Sequence, residues 1–256
     1  MRILEVNGLT KFFGGVRAVD DVSFFVNRGE ILAVIGPNGA GKTTLFNLIT
    51  RIYPPTRGAT TFNGKDILGL APYQIARLGI ARTFQNLQIF NNMTVLENVM
   101  VGRHTKSKTG FLGAIFPLGP VQREELDIVE KSMEKLAMVG LSDQALTAAS
   151  YLPYGQQKLL EIARAIALEP ELLLLDEPAA GLNSTETREL VDIIYTLKDR
   201  GVTILLVEHD METVMEIADR LVVLNFGQKL AEGTPYEIQN NQEVIAAYLG
   251  EERSAC

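Results

Sequence analysis

Short, nearly unbroken apolar runs alternate with longer stretches of helical periodicity along the chain. Glu30–Ile35, Leu172–Asp176, Thr203–Glu208 and Leu221–Leu224 are aliphatic segments of strand length. Runs of this kind belong to strands covered on both faces, as in parallel sheets flanked by helices. Between them Leu190, Ile193, Ile194 and Leu197 recur at i, i+3, i+4 and i+7, as do Leu159, Ile162, Ala163 and Ile166. That spacing is one face of an α-helix. A helix from Lys42 to about Ile49 is expected after the first run, and Pro72 marks the first turn of another running towards Leu78. Thr60–Phe62 followed by Asn63-Gly64 predicts a strand entering a tight hairpin. Strands alternating with helices predict an α/β fold with a mostly parallel sheet.

Two regions depart from this rhythm. Ile3, Leu4 and Val6, then Val22–Val26, read as an antiparallel β addition on the N-terminal side of the sheet. The stretch from Thr94 to Leu168 is helical with no evident strand and reads as an inserted helical subdomain. The expected organisation is one domain over 1–256. Its α/β core, with the β addition, spans 1–93 and 169–256, and the helical subdomain spans 94–168. Within the insertion, Arg103–Pro120 is rich in Gly, Lys and Pro, shows no period and is long for a loop.

Composition narrows the classes. The chain has 256 residues, an apolar fraction of 46% and a net charge of −7. It carries enough apolar material for a core, which excludes a disordered chain. An acidic protein, pI about 5.0, lacks the basic face that nucleic acid requires. Cys256 is the sole cysteine, so no intrachain disulfide can form. The longest apolar stretches fall far short of the roughly 18 residues of a spanning helix. Glu5 interrupts the first apolar run, unlike a signal peptide. The expectation is a cytoplasmic chain without a membrane segment.

The chemistry starts at Gly36-Pro37-Asn38-Gly39-Ala40-Gly41-Lys42-Thr43-Thr44, which fits G-x-x-x-x-G-K-[ST] between a strand and a helix. Glycines let successive backbone N–H groups turn around phosphate oxygens, and the helix N-terminus adds partial positive charge. Lys42 would reach the β- and γ-phosphates, and the Thr43 hydroxyl would ligate Mg²⁺. The second apolar run ends in Asp176 and Glu177. Beside a phosphate loop, Asp176 can hold Mg²⁺ through water, and Glu177 can polarise an attacking water as a general base. Gln85 ends the short run Ile80–Phe84, and its amide can ligate Mg²⁺ or position water. His209 follows the third apolar run, where strand ends converge on the ligand crevice of a doubly wound sheet, so its imidazole can touch a γ-phosphate. Leu152-Pro153-Tyr154-Gly155-Gln156-Gln157 opens an amphipathic helix over Lys158–Leu168. Gly155 there offers a second phosphate-binding helix start, or an ordinary helix entry.

In this order the motifs resemble the ATP-binding subunits of ABC transporters over nearly the whole chain, with a P-loop NTPase core. The resemblance makes Gln85 the Q-loop, Leu152–Gln156 the signature motif, Leu172–Asp176 Walker B, Glu177 the catalytic carboxylate, Ala180–Asn183 the D-loop and His209 the switch histidine. Lys42 joins Glu177 and His209 in the catalytic set. Gly36–Thr44, Gln85, Gly155 and Gln156 would hold ATP, and Thr43, Gln85 and Asp176 would hold Mg²⁺. An adenine-stacking aromatic maps to Phe13, with Phe12 adjacent as the alternative.

Ala81-Arg82-Thr83-Phe84-Gln85, Asp176–Asn183 and the tail Gly233-Thr234-Pro235 through Tyr248-Leu249-Gly250 extend the resemblance to branched-chain amino acid importers, with urea, amide or other amino acid importers as the alternative. The partners this implies are a second ATP-binding subunit, identical or different, membrane-spanning permease subunits and, indirectly, a solute-binding protein, with no nucleic acid. The implied location is peripheral, on the inner face of the cytoplasmic membrane. Phe90, Met93 and Val95 would line a groove for permease helices. Two positions depart from the general pattern. Pro153 supplies neither hydroxyl nor N–H where the family has Ser, and Asn183 stands for the usual D-loop Asp.

Overall fold

The structure, a computed structural model, describes residues 1–103 and 119–252. Positions 104–118 of the Gly/Lys-rich stretch, and Cys256, lie outside the described residues. The strands are β1 (Arg2–Phe13), β2 (Val16–Asn27), β3 (Ile31–Ile35), β4 (Arg57–Phe62), β5 (Lys65–Asp66), β6 (Ile80–Arg82), β7 (Leu172–Asp176), β8 (Thr203–Val207), β9 (Arg220–Asn225) and β10 (Gln228–Gly233). The helices are α1 (Lys42–Ile49), α2 (Pro72–Arg77), α3 (Val95–Arg103), α4 (Gly119–Met138), α5 (Tyr154–Ile166), α6 (Ser184–Asp199), α7 (Met211–Ile217), α8 (Pro235–Gln239) and α9 (Gln242–Glu252).

One sheet runs β10-β9-β3-β8-β7-β6 and the other β2-β1-β4-β5. In the first, the β9-β3, β3-β8, β8-β7 and β7-β6 pairings are all parallel, and β10 is an antiparallel edge. Every pairing in the second is antiparallel. The expected mostly parallel sheet with an antiparallel β addition is therefore the observed α/β architecture. The β4–β5 hairpin turns at Asn63 (φ 49°) and Gly64 (φ 73°), the two positive angles that a type I′ turn demands.

The continuous apolar runs follow from the layering. Successive strand side chains point to opposite faces, so each strand feeds two cores. Leu172, Leu174, Leu205 and Val207 pack with Phe46, Leu45 and the inner face of the antiparallel sheet. Leu173, Leu175, Ile204 and Leu206 pack with α5 and α6 through Leu160, Ile166, Leu190 and Ile194. With apolar neighbours on both sides, these strands have no position for a polar residue until their ends. All the predicted helix-face residues of α5 and α6 are buried.

Among the described residues, 94–168 holds helices, short 3₁₀ turns and an isolated bridge between Thr94 and Ala148, but no strand. Asn98, fully buried, ties its entrance together by accepting from Phe90 N and donating to the Phe90 and Thr94 carbonyl oxygens. No described helix is long and apolar enough to cross a membrane.

Candidate functional site

Four parallel strands deliver the site. β3 runs into the glycine loop, β6 towards Gln85, β7 into Asp176-Glu177 and β8 towards His209. A cavity of about 490 Å³ opens there, lined by Asn38–Thr44 together with Gln85 and Glu177, and by Val16–Ala18 and Phe226. The loop's shape needs glycine at Gly36 (φ 149°) and Gly41 (φ 101°). A Cβ would strike the Leu224 carbonyl oxygen at the first and the Ala18 carbonyl oxygen at the second. Gly41 caps α1 in a left-handed conformation, leaving the helix N-terminus open to the cleft. The Lys42 ammonium is buried and donates to the Gly36 and Pro37 carbonyl oxygens at 2.6 and 3.0 Å. Thr43 is exposed at the same cleft.

The two carboxylates after β7 enter different surroundings. Asp176 is 1% exposed. Its Oδ2 accepts from Arg82 Nη2 at 2.7 Å, while its Oδ1 is buried with no hydrogen-bond partner among the described residues. Burial lifts its carboxyl above the ordinary 3.8, with the Arg82 guanidinium opposing. Glu177 adopts φ +50°, unusual for a residue with a side chain, and faces the cleft. Its Oε2 accepts from Gln85 Nε2 at 3.0 Å and lies 3.8 Å from His209 Nδ1. Gln85, Glu177 and His209 come from three distant segments and meet at one carboxylate oxygen.

The residues fit a magnesium ion. A hydroxyl, an amide oxygen and a carboxylate are hard oxygen donors, and Asp176 Oδ1 is a buried acceptor in want of a partner. Among the described residues no cluster of three or more His, Cys, Asp or Glu could hold a metal. That accords with an ion held mainly by substrate phosphates and water.

Other predicted residues sit elsewhere. Phe13 is not among the residues lining the cavity: the residue is 43% exposed, and its ring meets Tyr53 edge-to-face at 5.4 Å. Gly155 and Gln156, at the start of α5, are not among the residues lining the cleft. Gly155 packs so closely on Glu186 that a Cβ would collide with its carboxylate. Val95 is corrected: it is fully buried in the core under α5 and lines no groove. A groove of about 430 Å³ does lie beside the Gln85 loop, lined by Phe84, Gln88, Ile89 and Phe90 with Ile75 and Arg164, but not by Met93. The departure at Asn183 has a local reason. Its side chain accepts from Thr185 N and Glu186 N, and Glu186 accepts from Asn183 N, a capping box that Asn builds as well as Asp.

Three residues escaped the sequence reading. Arg82 is a buried hub, donating to Asp176, Asn47 Oδ1 and Thr50 Oγ1. Glu208 is 1% exposed and accepts from Ala179 N and His209 N. Lys158 reaches the Glu177 carbonyl oxygen. For Glu208 a signal existed, a carboxylate closing an apolar strand. Arg82 and Lys158 look in sequence like the polar positions of a strand end and a helix.

A family model described as ABC transporter matches residues 19–180, and one for branched-chain amino acid ATP-binding cassette transporters matches 228–254. The chain is 48% identical over 250 residues to the high-affinity branched-chain amino acid transport ATP-binding protein LivG of Salmonella typhimurium, covering 97% of this chain and 98% of the relative. It is equally similar, with the same coverage, to the corresponding protein BraF of Pseudomonas aeruginosa. Its fold superposes with a TM-score of 0.85 on the ADP conformation of an ATP-binding cassette of an ABC transporter, at 35% identity and covering 98% of this chain and 99% of that one. A nucleotide cleft at the ends of parallel strands, with likeness over nearly the full length, places this chain in the ABC transporter family, as one of its ATP-hydrolysing, ATP-binding cassettes.

Proposed function

We propose that the chain is the ATP-driven motor subunit of a branched-chain amino acid importer. The observation that carries the catalytic part is the meeting of Gln85 and His209 at Glu177 Oε2, beside the glycine loop. Backbone N–H groups of Gly39–Thr44 and the Lys42 ammonium bind the phosphates. Glu177 accepts a proton from the attacking water, Gln85 orients that water and His209 steadies the γ-phosphate. Thr43, Gln85 and Asp176 would hold Mg²⁺, which supplies charge neutralisation on the phosphates. Phe13, exposed at the end of β1, is the proposed stacking partner of adenine.

The rest of the reading concerns partners. The helical segment 94–168 presents Gly155 and Gln156 to the nucleotide of a second ATP-binding subunit. With Pro153 in place of a donor, that contact rests on the Gly155 N–H and the Gln156 side chain. The groove beside Phe84 and Phe90 receives a permease segment, which holds the chain at the inner face of the membrane, and a solute-binding protein acts through the permease. The likeness to LivG and BraF supports the solute class. The test is Glu177→Gln in the full chain. ATP hydrolysis is expected to fall by about 100-fold or more with ATP binding retained, and ATP is expected to drive the variant to twice its mass in solution. Wild-type hydrolysis, reconstituted with permease and solute-binding protein, is expected to rise with leucine. A Glu177→Gln chain that hydrolyses ATP at the wild-type rate refutes the assignment.

A further inference from the structure

Lys158 is a lysine only 3% exposed, in the second turn of α5. Its Nζ donates to the backbone carbonyl oxygen of Glu177 at 3.3 Å. The same carbonyl accepts from Ala180 N at 3.2 Å, and Glu177 N donates to the Val207 carbonyl oxygen at 2.8 Å. These bonds surround a residue at φ +50°. A side-chain-bearing residue stays in that conformation only where its surroundings over-determine it. Of the three bonds, the one from Lys158 alone carries a full charge, and charged donors make the stronger hydrogen bonds. It is also the only one of the three that reaches the turn from the helical segment 94–168.

We propose that Lys158 is a positioning residue for Glu177. By holding the carbonyl it holds the backbone twist, and the twist aims the carboxylate at Gln85 and His209. The inference rests on the reading of Glu177 as general base and extends it. Gly155 lies one turn earlier on the same helix, and the Tyr154 hydroxyl donates to the Ala180 carbonyl oxygen at 3.4 Å. The helix start assigned to the partner's nucleotide therefore also carries the clamp on this chain's own base. A shift of α5 at one site would be felt by the carboxylate of the other.

The experiment is a cycle on the full chain. Lys158→Met and Lys158→Arg are each made in the wild-type and Glu177→Gln backgrounds, with kcat, ATP affinity and single-turnover hydrolysis measured. Lys158→Met is expected to lower kcat about tenfold with ATP affinity within about twofold, and Lys158→Arg to recover most of the loss. In the Glu177→Gln background Lys158→Met should cost nothing further, because the group it positions is already gone. An equal loss in both backgrounds, a loss confined to ATP affinity, or no loss overturns the proposal. If Lys158→Met does not fold, Lys158→Gln takes its place with the same expectations. A Glu177→Gln chain with wild-type turnover removes the general-base reading itself, a result distinct from failure of the clamp.

Discussion

Replacing Arg82 by Met tests how the buried carboxylate at the end of β7 is maintained. The Arg82 and Asp176 side chains are 6% and 0% exposed and joined at 2.7 Å. The guanidinium also donates to Asn47 and Thr50 and lies over the Phe46 and Phe84 rings, 5.6 and 5.1 Å from their centroids. Methionine fills much of the volume but takes away the cation hydrogen-bonded to Asp176, leaving the more distant pull of Lys158. Removing one partner of a buried ion pair costs about 3–5 kcal/mol, mostly because the remaining charge is stranded. At roughly 2 °C per kcal/mol for a chain of this length, the expected drop in Tm is about 6–10 °C.

The sign with pH is also fixed. Arg82 opposes the burial that raises the Asp176 carboxyl, so its loss raises that carboxyl further. The unfolded chain then gives up this proton first as pH rises, and folded stability falls between the ordinary value and the raised one. The deficit should be smaller at pH 5 than at pH 8, and adding Asp176→Asn should recover about 1–2 kcal/mol by neutralising the stranded group. Thermal unfolding of wild type, Arg82→Met and the double variant, followed by circular dichroism at both pH values, reads all of this. A Tm drop under about 2 °C, or a double variant worse than Arg82→Met alone, would refute the stranded-charge argument.

Gly41→Ala should abolish ATP binding, since its Cβ meets the Ala18 carbonyl oxygen and its φ is left-handed; equilibrium binding of a fluorescent ATP analogue at wild-type affinity would contradict this. Asn183→Ala removes the α6 cap and should cost about 1 kcal/mol, read by urea denaturation, with Asn183→Asp near neutral. Burial raises the Asp176 carboxyl, which must ionise to hold Mg²⁺, so Mg²⁺ affinity in the presence of ATP should fall more steeply with acid in wild type than in Asp176→Asn, where only the phosphates titrate; parallel falls in the two chains would argue against Asp176 as a ligand. Phe90→Ala, at a residue 45% exposed, should leave Tm nearly unchanged and reduce permease-stimulated hydrolysis, so a variant with full stimulation would remove Phe90 from the docking groove.

The parallel strands were legible because both their faces are covered, which leaves no polar position to blur the runs. The glycine loop was legible because its geometry admits few residues, as Gly36 and Gly41 demonstrate. The hidden parts depend on contacts distant in sequence. Arg82 and Asp176 are 94 positions apart, and nothing local marks an arginine at a strand end as a buried partner. Val95 failed for a related reason: an apolar residue opening a helix reads the same whether it faces a groove or the core. Phe13 was placed by resemblance, and its contact with Tyr53, 40 residues on, has no trace in local pattern.

Glu208 has a mechanical consequence. One of its oxygens accepts the Ala179 N–H and the other the His209 N–H, at 2.7 and 3.0 Å. A carboxylate is a rigid planar group, so its two oxygens swing together. The loop between β7 and α6, through Ala179, and the loop that carries the imidazole are therefore yoked, and neither can be displaced without dragging or breaking its hold on the other.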